Sequence, residues 1–265
     1  MRKYWTIFRV VLENNLMYRG HAFVWMLFDL LWIGVFPFIW FFIINAQGGE
    51  IQGWNNSAII VYYVFMAVLS NIVLMHPEAH MAYEIYEGKF SNYVIKPHSY
   101  LLYVFLHESA YKMVRFLAFI PFAVPLIWAI QHFGGSGAVL PQLPFIILAT
   151  LLAMPIFFLV AAIIGMTCFW LEDSYAARTI FWASSGLFGG QYAPFELMPP
   201  ILNTVASALP FKYAIYFPLR LISQQVPRAE MLRGLGIQLV WIAALFVLSS
   251  IIWKKGLKRY SAVGR

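Results

Sequence analysis

The sequence is poor in cysteine and in charge. Cys168 is the only cysteine among 265 residues, and 11% of the residues are Asp, Glu, Lys or Arg. One thiol excludes an intramolecular disulfide and a cysteine-rich metal cluster, and inside an apolar run it packs as a small hydrophobe. The low charge excludes more, because soluble domains are about 25% charged and roughly 45–50% apolar. With 62% hydrophobic and 18% aromatic residues, the chain does not fit an ordinary soluble enzyme. A phosphate loop of the GxxxxGK[ST] type is missing as well: Gly88-Lys89 has neither the upstream glycine nor the following Ser or Thr.

What is present are long apolar runs, at about 22–44, 58–76, 109–130, 145–171, 177–192 and 235–253. A helix of about 20 apolar residues crosses roughly 30 Å of hydrocarbon with every backbone group satisfied internally. The predicted fold is therefore an all-α polytopic membrane protein with six transmembrane helices. Six spans use about 120 residues, and the loops left over are too short for a second folded domain, so residues 1–265 read as a single membrane domain. Within 1–20, Arg2, Lys3, Arg9 and Arg19 surround Tyr4, Trp5, Phe8, Val11, Leu12 and Leu16 at roughly helical spacing. This is an interfacial amphipathic helix, read as retained because no small-residue cleavage site follows. The fifth run is short, and its Gly186, Gly189 and Gly190 lead into Pro194, Pro199, Pro200, Pro210 and Pro218. Residues 193–226 are nonetheless too apolar for a solvated loop. Irregular backbone at membrane depth is tolerated where protein buries it, so outer re-entrant half-helices are expected between spans five and six.

The formal net charge is +7. Its basic residues cluster at the chain ends and beside the apolar runs, which fits anionic headgroups and topology setting, not nucleic acid. With both termini cytoplasmic, fourteen of the 18 Lys and Arg lie inside, leaving Lys212, Arg220, Arg228 and Arg233 outside, as the positive-inside rule requires. The outer loops 45–57 and 131–144 hold no Lys or Arg. The largest cytoplasmic loop, about 77–100, mixes acids, bases and aromatics between Pro77 and Pro97. A short helix ended by Gly88 and stopped before Pro97 makes a rigid knob suited to docking, or else a solvated connector.

The motifs in this loop carry a resemblance. Glu87-Gly88-Lys89-Phe90 followed by Tyr93-Val94-Ile95-Lys96-Pro97 resembles the cytoplasmic-loop pattern of ABC type-2 permeases, in the six-span branch that pairs with drug-resistance-type ATPases. Gly189-Gly190-Gln191-Tyr192-Ala193-Pro194-Phe195-Glu196-Leu197-Met198-Pro199 is similar to that branch's segment after span five. Leu209-Pro210-Phe211-Lys212-Tyr213 with Tyr216-Phe217-Pro218 is similar to the segment that follows. The resemblance covers the whole chain by layout. It implies a non-catalytic exporter permease in a bacterial inner membrane, seated on a cytoplasmic ABC ATPase dimer and paired with a second permease subunit, the same or a sister chain. ATP and Mg would be bound by the ATPase, with no cofactor on this chain. Coupling to that ATPase falls to Glu84, Glu87, Gly88, Lys89, Phe90, Lys96 and Pro97. Leu187-Phe188-Gly189-Gly190-Gln191 echoes the LSGGQ signature of ABC ATPases but lies in an apolar span on the outer side, and is coincidence.

Charges within the apolar runs are rare. Asp29 lies in the first run, where an ionisable group costs on the order of 2.5–3.5 kcal/mol on insertion scales, so it faces protein or a wet cavity. It serves either as a counter-charge or gate, or as an inter-helix hydrogen bond. Phe181, Trp182 and Phe188 are candidates to line a route for a small amphipathic compound by stacking or cation–π contact. Glu196 in the re-entrant segment is read as a half-helix cap or an exit contact. Two other classes compete. An intramembrane metal-dependent hydrolase rests on His76-Pro77-Glu78-Ala79-His80, with His107 and Glu108 as further ligands. Pro77, however, takes the position of the HExxH glutamate. An ion-coupled secondary transporter would need several buried polar groups, whereas Asp29 alone is in mid-span. On this topology a reporter fused after Arg265 is expected to be active only on the cytoplasmic side, and activity confined to the outside would reverse the orientation.

Overall fold

The computed structural model describes residues 2–17, 19–94, 96, 99–134, 142–171 and 174–260. Its helices are α1 (Arg2–Met17), α2 (Arg19–Ala46), α3 (Asn56–Val73), α4 (Pro77–Tyr86), α5 (Ser91–Val94), α6 (Tyr100–Gly134), α7 (Leu143–Met166), α8 (Tyr175–Phe188), α9 (Pro200–Ser207), α10 (Phe217–Ser223) and α11 (Arg228–Arg259). The all-helical expectation needs one amendment. β1 (Glu50–Ile51) and β2 (Trp54–Asn55) form a two-stranded antiparallel hairpin in what the sequence offered as a plain loop. Gln52 (φ 51°) and Gly53 (φ 85°) supply the two positive φ values of a two-residue hairpin turn, which glycine adopts without a Cβ penalty. Asn55 then caps α3, its side chain accepting the Ala58 N–H at 2.9 Å.

Three helical stretches among the described residues are long and apolar enough to cross a membrane: Asn56–Tyr86, Leu143–Phe169 and Arg228–Arg259. α2 and α6 run for 28 and 35 residues. α6 starts nine residues before the apolar run suggested, where Ser99 Oγ accepts the Leu102 N–H at 3.4 Å. α8 has 14 residues, about 21 Å at 1.5 Å rise per residue, short of roughly 30 Å of hydrocarbon. α1 shows half-buried Tyr4, Ile7, Phe8, Val11, Leu12 and Asn15 at helical spacing and packs along α6. The stripe is rotated from the expected one, for Trp5 and Leu16 are exposed.

α7 is the central element, touching α3, α4, α8, α10 and α11. Helices in lipid lack a hydrophobic drive toward one another and associate through close packing, which small residues permit. α7 accordingly buries Ala149, Ala153, Ala161, Ala162 and Gly165 beside Ile156, Phe157 and Phe158. At Gly165 the two helix backbones meet: a Cβ there would sit 2.9 Å from the Cα of Glu78 in α4. The stretch predicted as re-entrant consists of a 3-10 turn (Phe195–Leu197), α9, a π-helical turn (Lys212–Tyr216) and α10. α10 is buried against α3 and α7, while α9 leaves Ile201 and Val205 exposed. Gly165→Leu is expected to force α4 off α7 and to cost on the order of 1–3 kcal/mol, read as a lower thermal midpoint in detergent. An unchanged midpoint would show that the two helices do not depend on this contact.

Candidate functional site

α3 breaks at Leu74–His76, and Pro77 at the first position of α4 restarts the helix with Glu78 in its first turn. α4 is not a solvated loop: it buries Pro77, Glu78, Met81, Ala82, Glu84 and Ile85 against α6 and α7. Burial requires its carboxylates to be paired. Glu78, 1% exposed, accepts Trp182 Nε1–H from α8 at 3.0 Å and lies 3.5 Å from His76 Nδ1. Glu84, 5% exposed, accepts the Tyr100 hydroxyl and stands 3.2 Å from His80 Nε2. Glu108 on α6, equally buried, accepts the His76 backbone N–H at 2.9 Å. The His76 ring stacks on Trp182 at 4.5 Å between centroids.

The helix ends where Gly88 takes φ +68°, a left-handed turn that a side chain would strain. The Glu87 N–H reaches Tyr83 O at 3.0 Å and the Phe90 N–H reaches Glu84 O at 2.9 Å. This turn drives Phe90, fully buried, into a cage of four aromatic rings: Tyr100 (5.0 Å between centroids), Phe169 (5.5 Å), Trp253 (5.6 Å) and Tyr260 (4.9 Å), all edge to face. That geometry is the favoured one for aromatic pairs. The cage joins the start of α6, the end of α7 and the end of α11. Ser91 Oγ and the Tyr260 hydroxyl add a hydrogen bond at 2.9 Å.

What stays exposed at this end is a compact patch. Tyr83 is 56% exposed, and Lys89 Nζ donates to its hydroxyl at 2.5 Å while lying 4.3 Å from the ring centroid. This hydrogen bond holds the Lys89 ammonium above its ordinary pKa. Glu87 is 3.9 Å from Lys89, and Lys96 lies over the Tyr93 ring at 4.6 Å. The residues named for coupling thus divide. Glu87, Gly88, Lys89 and Lys96 are at the surface, whereas Glu84 and Phe90 are interior; Pro97 lies outside the described residues. Tyr83 was not singled out, although its place one turn before Glu87 put it on the same face.

A cleft of about 580 Å³ opens between α4 and α8, lined by His76, Glu78, Arg178, Trp182, Gly186 and Tyr192 among others. Glu78 Oε2 is buried there without a hydrogen-bond partner. Of the three aromatics expected along a route, Trp182 lines this cleft. Phe181 is buried between Phe157 and Phe211, and Phe188 packs against the core. Asp29 is carried by α2, with its side chain outside the described ones. Glu196 accepts the Tyr216 hydroxyl at 2.5 Å and Gln224 Nε2–H at 3.3 Å. It therefore ties the 3-10 turn to α10, and neither half-helix start shows a side-chain cap. The loop closing α8 hangs from three aromatic donors: Tyr62 to Gly190 O (2.7 Å), Tyr63 to Tyr192 O (2.8 Å) and Trp40 Nε1 to Tyr192 O (3.1 Å).

A family model described as ABC-2 family transporter protein matches residues 30–264. The chain belongs to the ABC-2 transporter family. It is a multi-pass membrane permease of an ABC transporter, in a family whose members are generally non-catalytic membrane subunits that partner with an ATPase. No curated protein matches the sequence. The buried α4 and the Phe90 cage lie between the exposed patch and the start of α6, the turn after α7 and the end of α11. Phe90→Ala is expected to cost about 3–5 kcal/mol, as for truncation of a buried aromatic, and Phe90→Leu less. Equal thermal midpoints for Phe90→Ala and the parent protein would remove the cage from the account.

Proposed function

We propose that this chain is the membrane-spanning subunit of an ABC exporter, moving a small amphipathic compound outward on ATP hydrolysed by a separate ATPase dimer. The observation that carries the reading is the exposed Tyr83–Glu87–Lys89 patch mounted on Phe90, whose cage joins α6, α7 and α11. An ATPase that docks on this patch and moves on closure pushes against a rigid lever. The displacement passes to the long helices as a rigid-body shift, the usual form of such transitions. The sequence holds no phosphate loop, which supports ATP and Mg bound in trans and no catalysis by this chain.

The membrane is a bacterial inner membrane, and the α4 end faces the cytoplasm together with both termini; the basic residues near that end support this orientation. A second permease subunit completes the pathway. Exposed apolar side chains such as Phe38, Ile180, Val240 and Phe246 offer surface for it and for lipid. The cleft with Trp182 and the unpaired Glu78 oxygen is the substrate entry, favouring an amphipathic compound that carries a hydrogen-bond donor or a cation.

The test reconstitutes the permease with the ABC ATPase that co-purifies with it. Tyr83→Ala combined with Glu87→Lys is expected to weaken ATPase binding about tenfold or more, on the order of 1–2 kcal/mol, while the permease stays monodisperse. Wild-type binding and stimulated hydrolysis in that double variant would overturn the docking assignment.

A further inference from the structure

We propose that His80, His107 and Glu108 form a site for a divalent transition metal of the zinc class, clamping α4 to α6. One ring nitrogen of each histidine and one carboxylate oxygen of Glu108 all lie within 4.8 Å of one another. The His80 and His107 rings lie 4.5 Å apart between centroids, tilted by 42°. His107 Nδ1 stands 3.6 Å from Glu108 Oε1, and that nitrogen is buried without a hydrogen-bond partner. Two donors bound to one metal at about 2.0–2.2 Å in tetrahedral geometry lie roughly 3.3–3.5 Å apart, so this pair needs almost no movement.

The surroundings are those of a built site. Glu108 Oε2 is occupied by the His76 N–H at 2.9 Å, which aims the other oxygen at His107. Glu84 Oε1 lies 3.2 Å from His80 Nε2 while Glu84 Oε2 accepts the Tyr100 hydroxyl, so Glu84 is the outer carboxylate that typically orients a metal-bound histidine. Two carboxylates close by offset the charge of a dication. The nearest cation along α6, Lys112, donates to Ser70 O on α3 at 3.2 Å. A cleft of about 480 Å³, lined by His76, Ala79, His107, Glu108, Tyr111 and Arg115 among others, lies alongside. It leaves room for water or another ligand in a fourth position. Two histidines and a glutamate with an open position suit zinc, and their nitrogen and oxygen donors disfavour copper(I).

The site differs from the one the sequence pattern invites. His76 and His80 are four apart, but His76 precedes the α4 helix and its ring is taken by Trp182, so the pair never converges. The second histidine comes instead from α6. A metal here bridges the helix that carries the exposed patch to the helix that receives the Phe90 cage, stiffening the lever without touching transported compound.

The test uses the full-length protein in detergent, freed of its affinity tag and stripped with chelator, then titrated with Co²⁺ as a spectroscopic probe. The expected result is about one Co²⁺ per chain with the intense visible bands of tetrahedral coordination, displaced by Zn²⁺. His80→Gln and His107→Gln should abolish those bands, His76→Gln should keep them, and Glu84→Gln should weaken binding about 10–100-fold. Binding that is absent in the wild type, or equal in the wild type and both ligand variants, overturns the site. Should a ligand variant aggregate, wild type and Glu84→Gln decide: a Zn²⁺-induced rise in thermal midpoint that shifts to higher metal concentration in Glu84→Gln upholds the site, and no rise or no shift refutes it.

Discussion

The contact of α4 with α7 at Gly165 is the constraint from which the described functional end follows. Without a side chain at that position, the α4 backbone lies directly on α7, and one face of α4 leaves solvent. That face carries Glu78 and Glu84, so burial creates an electrostatic demand that neighbouring elements must meet. Trp182 from α8, Tyr100 from α6 and His80 from α4 itself answer it. The bonds from Trp182 and Tyr100 are also cross-links, holding α4 to α8 and to α6, so α4 is part of the bundle and not a strap beneath it.

A rigid α4 gives the turn at Gly88 its meaning. The turn ends a fixed helix, and the next side chain to enter the core, Phe90, meets rings from three other helix ends. Edge-to-face rings in a closed cage pack densely and resist separation. In an ABC-2 permease this is the property a transmission element needs. The opposite end is organised differently. There the short α8 stops early, and backbone carbonyls of the Gly190–Tyr192 loop are satisfied by phenol and indole donors from α2 and α3, which compensates for the hydrogen bonds that a longer helix would have made.

Much of this was legible from residues. Long apolar runs announced helices, Gly88 announced the end of α4, and the proline-rich stretch after α8 announced short elements, of which α10 is buried and α9 largely exposed. Other features were not legible, for identifiable reasons. The Glu50–Asn55 hairpin is too short for any periodicity. Glu84 looked like a surface acid because its partners, Tyr100 and His80, are revealed only when α6 folds back. Phe181 and Trp182 are adjacent in sequence and equally aromatic, yet one is core and the other lines a cleft, since neighbours on a helix point about 100° apart.

Composition and pattern by themselves determined the solvent of this protein, its helical class and its kinship with ABC-2 permeases. These are set by hydrophobic run length and local breakers, which act within one or two turns of chain. The tertiary structure alone decided which charges are buried, which aromatic rings form the cage, and that His80 meets His107 and Glu108 in place of His76. Those outcomes depend on side chains from helices far apart in sequence, and their approach is governed by where small residues such as Gly165 let two backbones touch.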